Sequence, residues 1–318
     1  MSGPAATLPS TLTVWVVSDG RRGIENQALG LAEAVVRRLD RPAKIETVIA
    51  RKDGFVTLPA HSIPDLWIGC GRAAVPLARR HRAIFPRAFY VYVQDPRGRH
   101  GDFDLIVAPQ HDRLVRGNAV SMIGSPNRVT RDKLEDGRAQ FADRIAALPS
   151  PRAAVLIGGS SKRFRLTPRI GAYLEQRLDD LLAQDIGLMV TVSRRTPDAV
   201  RDALRTRFGN NDRVWFFDGE GENPYFAFLA AADWIFVTEE STNMLVEAAS
   251  TGAPLYILAM EGRPGKFSRL HAALEGHGAA RPFLGEVESW TYPPLDETGR
   301  IAGLLVAHWQ NTETGVPA

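Results

Sequence analysis

Five segments of this sequence combine residue types that could do chemistry. Gly158-Gly159-Ser160-Ser161-Lys162-Arg163 offers two glycines, two hydroxyls and two cations, with Arg165 close behind. Glycines let a backbone come near a ligand, and hydroxyls and cations suit a diphosphate. The spacing is not that of a P-loop, because Gly-x4-Gly-Lys-Ser/Thr is absent. The competing reading is a polar turn with solvated basic residues. Further on, Glu240-Ser241-Thr242-Asn243 opens a short helical pattern that reaches Glu247. Ser241 and Thr242 would put hydroxyls at the helix start, where free N–H groups and a partial positive charge favour a phosphate. Asn243, Glu247 and Ser250 fall at helical spacing and form one polar stripe. On that stripe Glu247 could accept hydrogen bonds from ribose hydroxyls. The alternative is a capped helix with a solvated face.

The other three segments carry candidate acid–base groups. Ser18-Asp19-Gly20-Arg21-Arg22-Gly23-Ile24-Glu25 holds Asp19 and Glu25, either of which could act as a base toward a hydroxyl acceptor. Gln94-Asp95-Pro96-Arg97 and Ala108-Pro109-Gln110-His111-Asp112 supply Asp95 and His111. A histidine beside an aspartate could titrate near neutrality, although such a pair is also an ordinary loop contact. Gly69-Cys70-Gly71-Arg72-Ala73-Ala74 has the form Gly-x-Gly-x-x-Ala, which reads as close packing of a strand on a helix.

All of these segments follow apolar, β-branched runs. Residues 12–17, 43–49, 66–69, 89–93, 105–108 and 119–123 read as strands, and residues 24–39 repeat apolar positions at helical spacing. A charged helix is expected over 130–147, and Leu148-Pro149-Ser150-Pro151 then breaks the pattern. The second half repeats the alternation, with strands at 153–157, 187–192, 214–217, 234–237 and 255–258 and helices between. A further helix is expected over 266–274. The last helix is expected over 296–310, between a loose tail at 1–11 and a frayed end at 311–318. Strands alternating with helices imply parallel sheets with right-handed crossovers. Ligands in such sheets bind at the carboxyl ends of the strands, where the five segments lie.

Bulk composition narrows the classes. With 318 residues, 44% hydrophobic and 24% charged, the chain suits two globular domains. A formal charge of +3 does not suggest a nucleic-acid binder. One cysteine, Cys70, excludes an internal disulfide, and seven histidines without His-x3-His or Cys pairing give no metal motif. No Gly-x-Ser-x-Gly elbow is present. No apolar run approaches a membrane span, and residues 1–10 lack the features of a secretory leader. The expected compartment is the cytoplasm. Arg79-Arg80-His81-Arg82 could give peripheral contact with the inner face of a membrane, but so short a run reads first as a solvated helix end.

Several segments together resemble the "elongated mitochondria" fission proteins of plants and their bacterial homologues: Gln94 to Arg97, Phe103 to Asp112, Gly158 to Phe164, and Asn223-Pro224 through Pro254. The run Glu247-Ala248-Ala249-Ser250-Thr251-Gly252-Ala253-Pro254 is similar to the donor-binding helix of GT-B glycosyltransferases. The resemblance implies an α/β, GT-B-like architecture. Two Rossmann-like domains would face each other across a cleft: residues 1–149 on the acceptor side and 150–295 on the nucleotide side. Residues 296–318 would cross back as a helix and tail. It implies that Glu247 takes a ribose and that Ser241 and Thr242 lie at the diphosphate. Ser160, Ser161, Lys162 and Arg163 would line the opposite wall, with Arg263 or Lys266 steadying the leaving group. The implied activity is metal-independent transfer from a nucleotide sugar to a hydroxyl acceptor, with no cofactor. The alternatives are a partner-binding scaffold and a hydrolysing nucleotide-sugar epimerase. No base is implied, so Asp19, Glu25, Asp95 and His111 stay as candidates.

Overall fold

A computed structural model describes residues 11–51 and 56–314, without the side chains of 313 and 314. The chain divides into two compact units, residues 1–128 with 296–318, and residues 129–295.

The first unit begins with β1 (Leu12–Ser18), α1 (Arg22–Leu39) and β2 (Ala43–Ile49). It continues through β3 (Leu66–Cys70), α2 (Val75–Ile84), β4 (Phe89–Val93), β5 (Leu105–Pro109) and β6 (Ala119–Met122). The six strands pair in parallel in the order β2-β1-β3-β4-β5-β6. Each side chain of a strand takes the opposite face from its neighbour. On β1, Val14 and Val16 pack with Leu31 and Val35 of α1, while Trp15 and Val17 pack with Trp67, Leu77, Tyr90 and Tyr92 on the other face. Burial on both faces explains why β1, β3, β4 and β5 read as continuous apolar runs.

The second unit starts with α3 (Arg131–Gln140) and α4 (Ala142–Ala146), then β7 (Arg152–Ile157), β8 (Phe164–Arg165), α5 (Pro168–Ala183), β9 (Gly187–Val192) and α6 (Asp198–Phe208). There follow β10 (Val214–Phe217), α7 (Tyr225–Ala231), β11 (Trp234–Thr238), α8 (Thr242–Ala249), β12 (Leu255–Leu258), β13 (Glu261–Gly262), α9 (Ser268–Gly276) and β14 (Ala280–Pro282). The start of α5 shows the local logic. Thr167 accepts the Ile170 N–H, and Pro168 takes the first helical position, where its missing N–H has no cost. The parallel sheet runs β10-β9-β7-β11-β12-β14, so its chain order from β7 is 3-2-1-4-5-6. That is the dinucleotide-fold order, with the reversal between β7 and β11. The short β8 and β13 pair separately and antiparallel.

The last helix, α10 (Glu297–Thr314), belongs to the first unit. Ile301, Leu305 and Trp309 enter the core shared by β1, β3, β4 and α1. Glu297 accepts the Ile123 N–H at 2.6 Å, and Thr298 accepts the Asn127 N–H at 3.1 Å. Gly30 of α1 has Asn127 backbone where a Cβ would stand, so only glycine allows that approach.

Four expectations change. The division falls between Arg128 and Val129 instead of at residue 149. Residues 131–146 therefore belong to the second unit, where Gly137 of α3 lies against the Phe226–Ala227 backbone of α7. They form two helices broken at Phe141, whose ring packs at 5.5 Å from that of Trp215. The helix expected over 266–274 is a 3-10 turn, Gly265–Phe267, followed by α9. Residues 311–314 are helical, while 1–10 and 315–318 lie outside the described residues.

Candidate functional site

The carboxyl edge of the second unit's sheet gathers most of the nucleotide-side candidates. At the reversal, the ends of β7 and β11 are tied together. The Gly158 N–H donates to Thr238 Oγ1 at 2.8 Å, and the Gly159 N–H donates to Glu240 Oε1 at 2.7 Å. A Cβ at Gly158 would overlap Glu240 Oε1, and one at Gly159 would overlap the Arg195 carbonyl. The two glycines thus make room for a carboxylate and for the loop after β9. That loop is fastened by Thr196, whose hydroxyl donates to the Gly158 carbonyl at 2.6 Å.

Glu240 has a side chain with no exposed surface, and its Oε2 is buried without a hydrogen-bond partner. Burial pushes its carboxyl above the ordinary glutamate range. Hydrogen bonds from Thr238 and Gly159 and the charge of Arg195 oppose the rise without cancelling it. The Arg195 guanidinium stands 4.0 Å from Oε1.

The rest of the glycine loop is a closed turn. Ser160 Oγ accepts the Leu166 N–H at 3.0 Å, and Ser161 Oγ accepts the N–H groups of Arg163 and Phe164 at 3.2 Å. The Ser161 N–H donates to the Phe164 carbonyl. With these N–H donors committed, the loop's offer to an anion is the exposed side chains of Lys162 and Arg163 and the O–H groups of Ser160 and Ser161, whose oxygens only accept in these bonds. Across the β8–β13 pairing, Arg163 lies 5.9 Å and Lys266 5.5 Å from the Phe267 ring, so the two cations share one patch. The Arg263 N–H donates to the Arg163 carbonyl at 3.3 Å.

Ser241 is buried at the entry to α8, and its side chain does not cap the helix. Thr242 and Asn243 occupy the first turn. Glu247 lies one to two turns on, half-buried, and its Oε2 accepts the Tyr225 hydroxyl at 2.6 Å. Burial raises the Glu247 carboxyl, and the Tyr225 bond only partly offsets it. Ser250 turns back on its own helix, donating to the Val246 carbonyl at 2.8 Å.

The acid–base candidates lie at the carboxyl edge of the first unit's sheet and fall into separate pairs. Asp19 is clasped by Arg21 through contacts of 2.7 to 3.1 Å. Burial works to raise the Asp19 carboxyl, but the Arg21 hydrogen bonds and charge outweigh it and hold it below the ordinary aspartate range. A carboxylate held ionised in this way is a weak base. Glu25 accepts the Ser18 hydroxyl at 3.3 Å. Asp95 Oδ1 lies 3.1 Å from His100 Nε2 and accepts the Arg97 N–H at 2.8 Å. His111 is buried, with Nε2 3.7 Å from Asp112 Oδ1. Gly71, with φ +87°, packs against Asp19 and Ile24, as the strand-on-helix reading of that segment requires. Burial raises the Cys70 thiol, which leaves it inert.

The basic run divides by helical geometry. His81 is buried, and its Nδ1 accepts the Trp67 Nε1–H at 3.0 Å. Arg82 pairs with Asp104 at 2.9 Å and lies 4.3 Å over the Tyr90 ring. Only Arg79 and Arg80 of the four are exposed.

Sequence reasoning missed Thr196, Arg195, Thr238, Tyr225 and His100. Ser193-Arg194-Arg195-Thr196 directly follows a strand and carries hydroxyls and cations, the signal used for residues 158–163. No local pattern marks Tyr225 or His100. Among the described residues no group of three or more His, Cys, Asp or Glu stands where it could hold a metal ion, and no helix is long and apolar enough to cross a membrane.

Two parallel α/β units, the second in dinucleotide-fold order, define a GT-B-like protein. The fold is similar to that of UDP-GlcNAc 2-epimerase from Methanocaldococcus jannaschii, with TM-score 0.58 and 12% identity over 93% of this chain and 100% of that one. It is also similar to the UDP-GlcNAc 2-epimerase of Neisseria meningitidis, solved bound to UDP-GlcNAc, with TM-score 0.52 and 10% identity over 96% of this chain and 95% of that one.

The chain belongs to the mitochondrial fission ELM1 family, whose model matches residues 22–309. It is 29% identical over 266 residues to mitochondrial fission protein ELM1 of Arabidopsis thaliana, covering 75% of this chain and 62% of that protein. It therefore spans under two thirds of that relative's length. An uncharacterized protein of Rickettsia prowazekii is 26% identical, with 92% of this chain and 98% of that protein covered.

Proposed function

We infer that the second unit binds a nucleoside diphosphate, and that the protein transfers a sugar from a nucleotide sugar to a hydroxyl acceptor without a metal. The observation that supports this most is the sheet reversal between β7 and β11, where Gly158, Gly159 and Glu240 meet beside exposed cations. Ligands of open α/β sheets bind at such reversals. Lys162 and Arg163 supply charge for a diphosphate, with Arg263 and Lys266 on the adjoining segment. The Tyr225–Glu247 pair supplies a hydroxyl and a carboxylate with which ribose hydroxyls could exchange hydrogen bonds. Catalysis would come from positioning and from stabilising the departing diphosphate.

The test is a thermal-shift screen of the purified protein against nucleoside diphosphates and nucleotide sugars, with Glu247→Ala in parallel. A ligand that binds only the folded state adds about 2.7 kcal/mol at a hundredfold excess over Kd. The expected result is a shift with one nucleobase that is lost in Glu247→Ala. Product analysis with the matching nucleotide sugar then separates transfer from hydrolysis and epimerisation. No shift with any nucleotide in a folded sample overturns the reading in favour of a partner-binding scaffold.

A further inference from the structure

The loop after β9 puts a cation at the sheet reversal that neither the sequence motifs nor the family resemblance singles out. Its position is determined by contacts on both sides. The Arg195 carbonyl fills the space beside Gly159, the Arg195 N–H donates to Ser193 Oγ at 3.2 Å, and Thr196 holds the loop to Gly158. The guanidinium is more than half exposed, while the Glu240 carboxylate 4.0 Å away is fully buried. This is a loose pair, beyond hydrogen-bond distance. It leaves Glu240 with hydrogen bonds from Thr238 and Gly159 and with Oε2 unpartnered, a costly state for a buried carboxylate.

We propose that Arg195 is a phosphate-binding cation of this edge, and that Glu240 is the internal counter-ion it holds until a nucleoside diphosphate takes its place. The inference rests on the nucleotide reading above. Arginine meets phosphate with two parallel N–H donors at short distance, which is a stronger bond than the 4.0 Å contact with Glu240. As the guanidinium turns to the phosphate, Glu240 loses its charged neighbour. The other groups packed on it are the Gly158–Gly159 backbone and the Thr238 side chain, which are neutral. A buried carboxylate without a cation is stabilised by taking a proton from solvent. Phosphate binding at Arg195 and proton uptake at Glu240 are therefore coupled. Affinity attributable to this pair falls as pH rises, because the proton becomes scarcer.

The experiment is calorimetric titration of UDP, or of whichever nucleoside diphosphate gives the largest thermal shift, between pH 6 and 8. Two buffers of different ionisation enthalpy are used, on wild type, Glu240→Gln, Arg195→Gln and Arg195→Lys. The nucleotide's own ionisation is common to all four proteins, so differences between them isolate the pair. Wild type is expected to take up protons on binding and Glu240→Gln to take up none, while binding at least as tightly at pH 8. Arg195→Gln is expected to weaken binding by roughly tenfold or more, the scale of a charge-assisted hydrogen bond, with partial recovery in Arg195→Lys. Equal affinity in Arg195→Gln and wild type, or the same proton uptake in Glu240→Gln as in wild type, overturns the inference and leaves nucleotide binding standing. Absence of binding in the folded wild type overturns both.

Discussion

Glu240 and Gly159 lie 81 residues apart in the chain, yet the carboxylate of one accepts the backbone N–H of the other at 2.7 Å. With the Gly158–Thr238 bond it ties the ends of the two strands between which the sheet reverses, and the missing side chain of Gly158 leaves the space in which it forms.

The Gly158 position is therefore expected to reject any side chain while Glu240 is present. Gly158→Ala should cost about 3 kcal/mol, the upper range for overpacking a filled interior. The cost should shrink in Gly158→Ala/Glu240→Ala, because the second change removes the clashing atom. Denaturant midpoints of the two single variants and the double variant measure this coupling. Strict additivity would mean that the clash is relieved by backbone movement.

Glu240 also makes stability depend on pH. Burial raises its carboxyl in the folded state, so between the ordinary glutamate range and the raised value the folded protein holds a proton that the unfolded chain has lost. Its contribution is present at low pH and is lost as pH rises through that window. Glu247 has the same sign, again chiefly through burial. Glu240→Gln is expected to flatten, without abolishing, the decline in unfolding free energy across that window. An unchanged slope in urea titrations across this range would refute the assignment.

The Tyr225–Glu247 bond joins α7 to α8. Tyr225→Phe should destabilise by about 1.5–3 kcal/mol, the range for a hydrogen bond to a charged partner. Glu247→Gln should cost less, since an amide oxygen still accepts the hydroxyl. Chemical denaturation of both variants ranks them, and a larger loss in Glu247→Gln would reverse the argument.

His81 is expected to stay neutral to lower pH than an ordinary histidine. Burial lowers its imidazole and the nearby Arg80 charge adds to the effect. Because Trp67 donates to Nδ1, the ring proton sits on Nε2. The unfolded chain takes up a proton near its ordinary value of about 6.5, so stability is lost as pH falls through that range. An NMR titration of His81 beside acid unfolding of His81→Asn checks both points. A folded-state titration at or above the ordinary value would contradict them.

Much of this architecture was legible before any coordinates. Most strands of both sheets read directly from runs such as 12–17 and 153–157, because burial on both faces demands unbroken apolar sequence, whereas the short edge strand β14 gave no such run. The loops with chemistry were legible because each follows such a run. The domain division was not. Residues 131–146 look like an extension of what precedes them, and only Gly137 meeting the α7 backbone shows which unit they join. The run Arg79-Arg80-His81-Arg82 was misleading for a related reason. Composition counts four basic residues together, whereas a helix turns them to different faces and buries His81 against Trp67.

By itself the sequence determined the alternation of strands and helices, the family and the points where ligand chemistry could sit, since these depend on period, burial and short motifs. The tertiary structure alone decided the partners. It committed Ser160 and Ser161 to their own turn, gave the Glu247 carboxylate to Tyr225, clasped Asp19 with Arg21, and set Glu240 between two glycines and Arg195. The distant partners depend on sheet order and packing, which bring residues tens of positions apart within 3 Å of each other, and no local pattern of residue types records that distance.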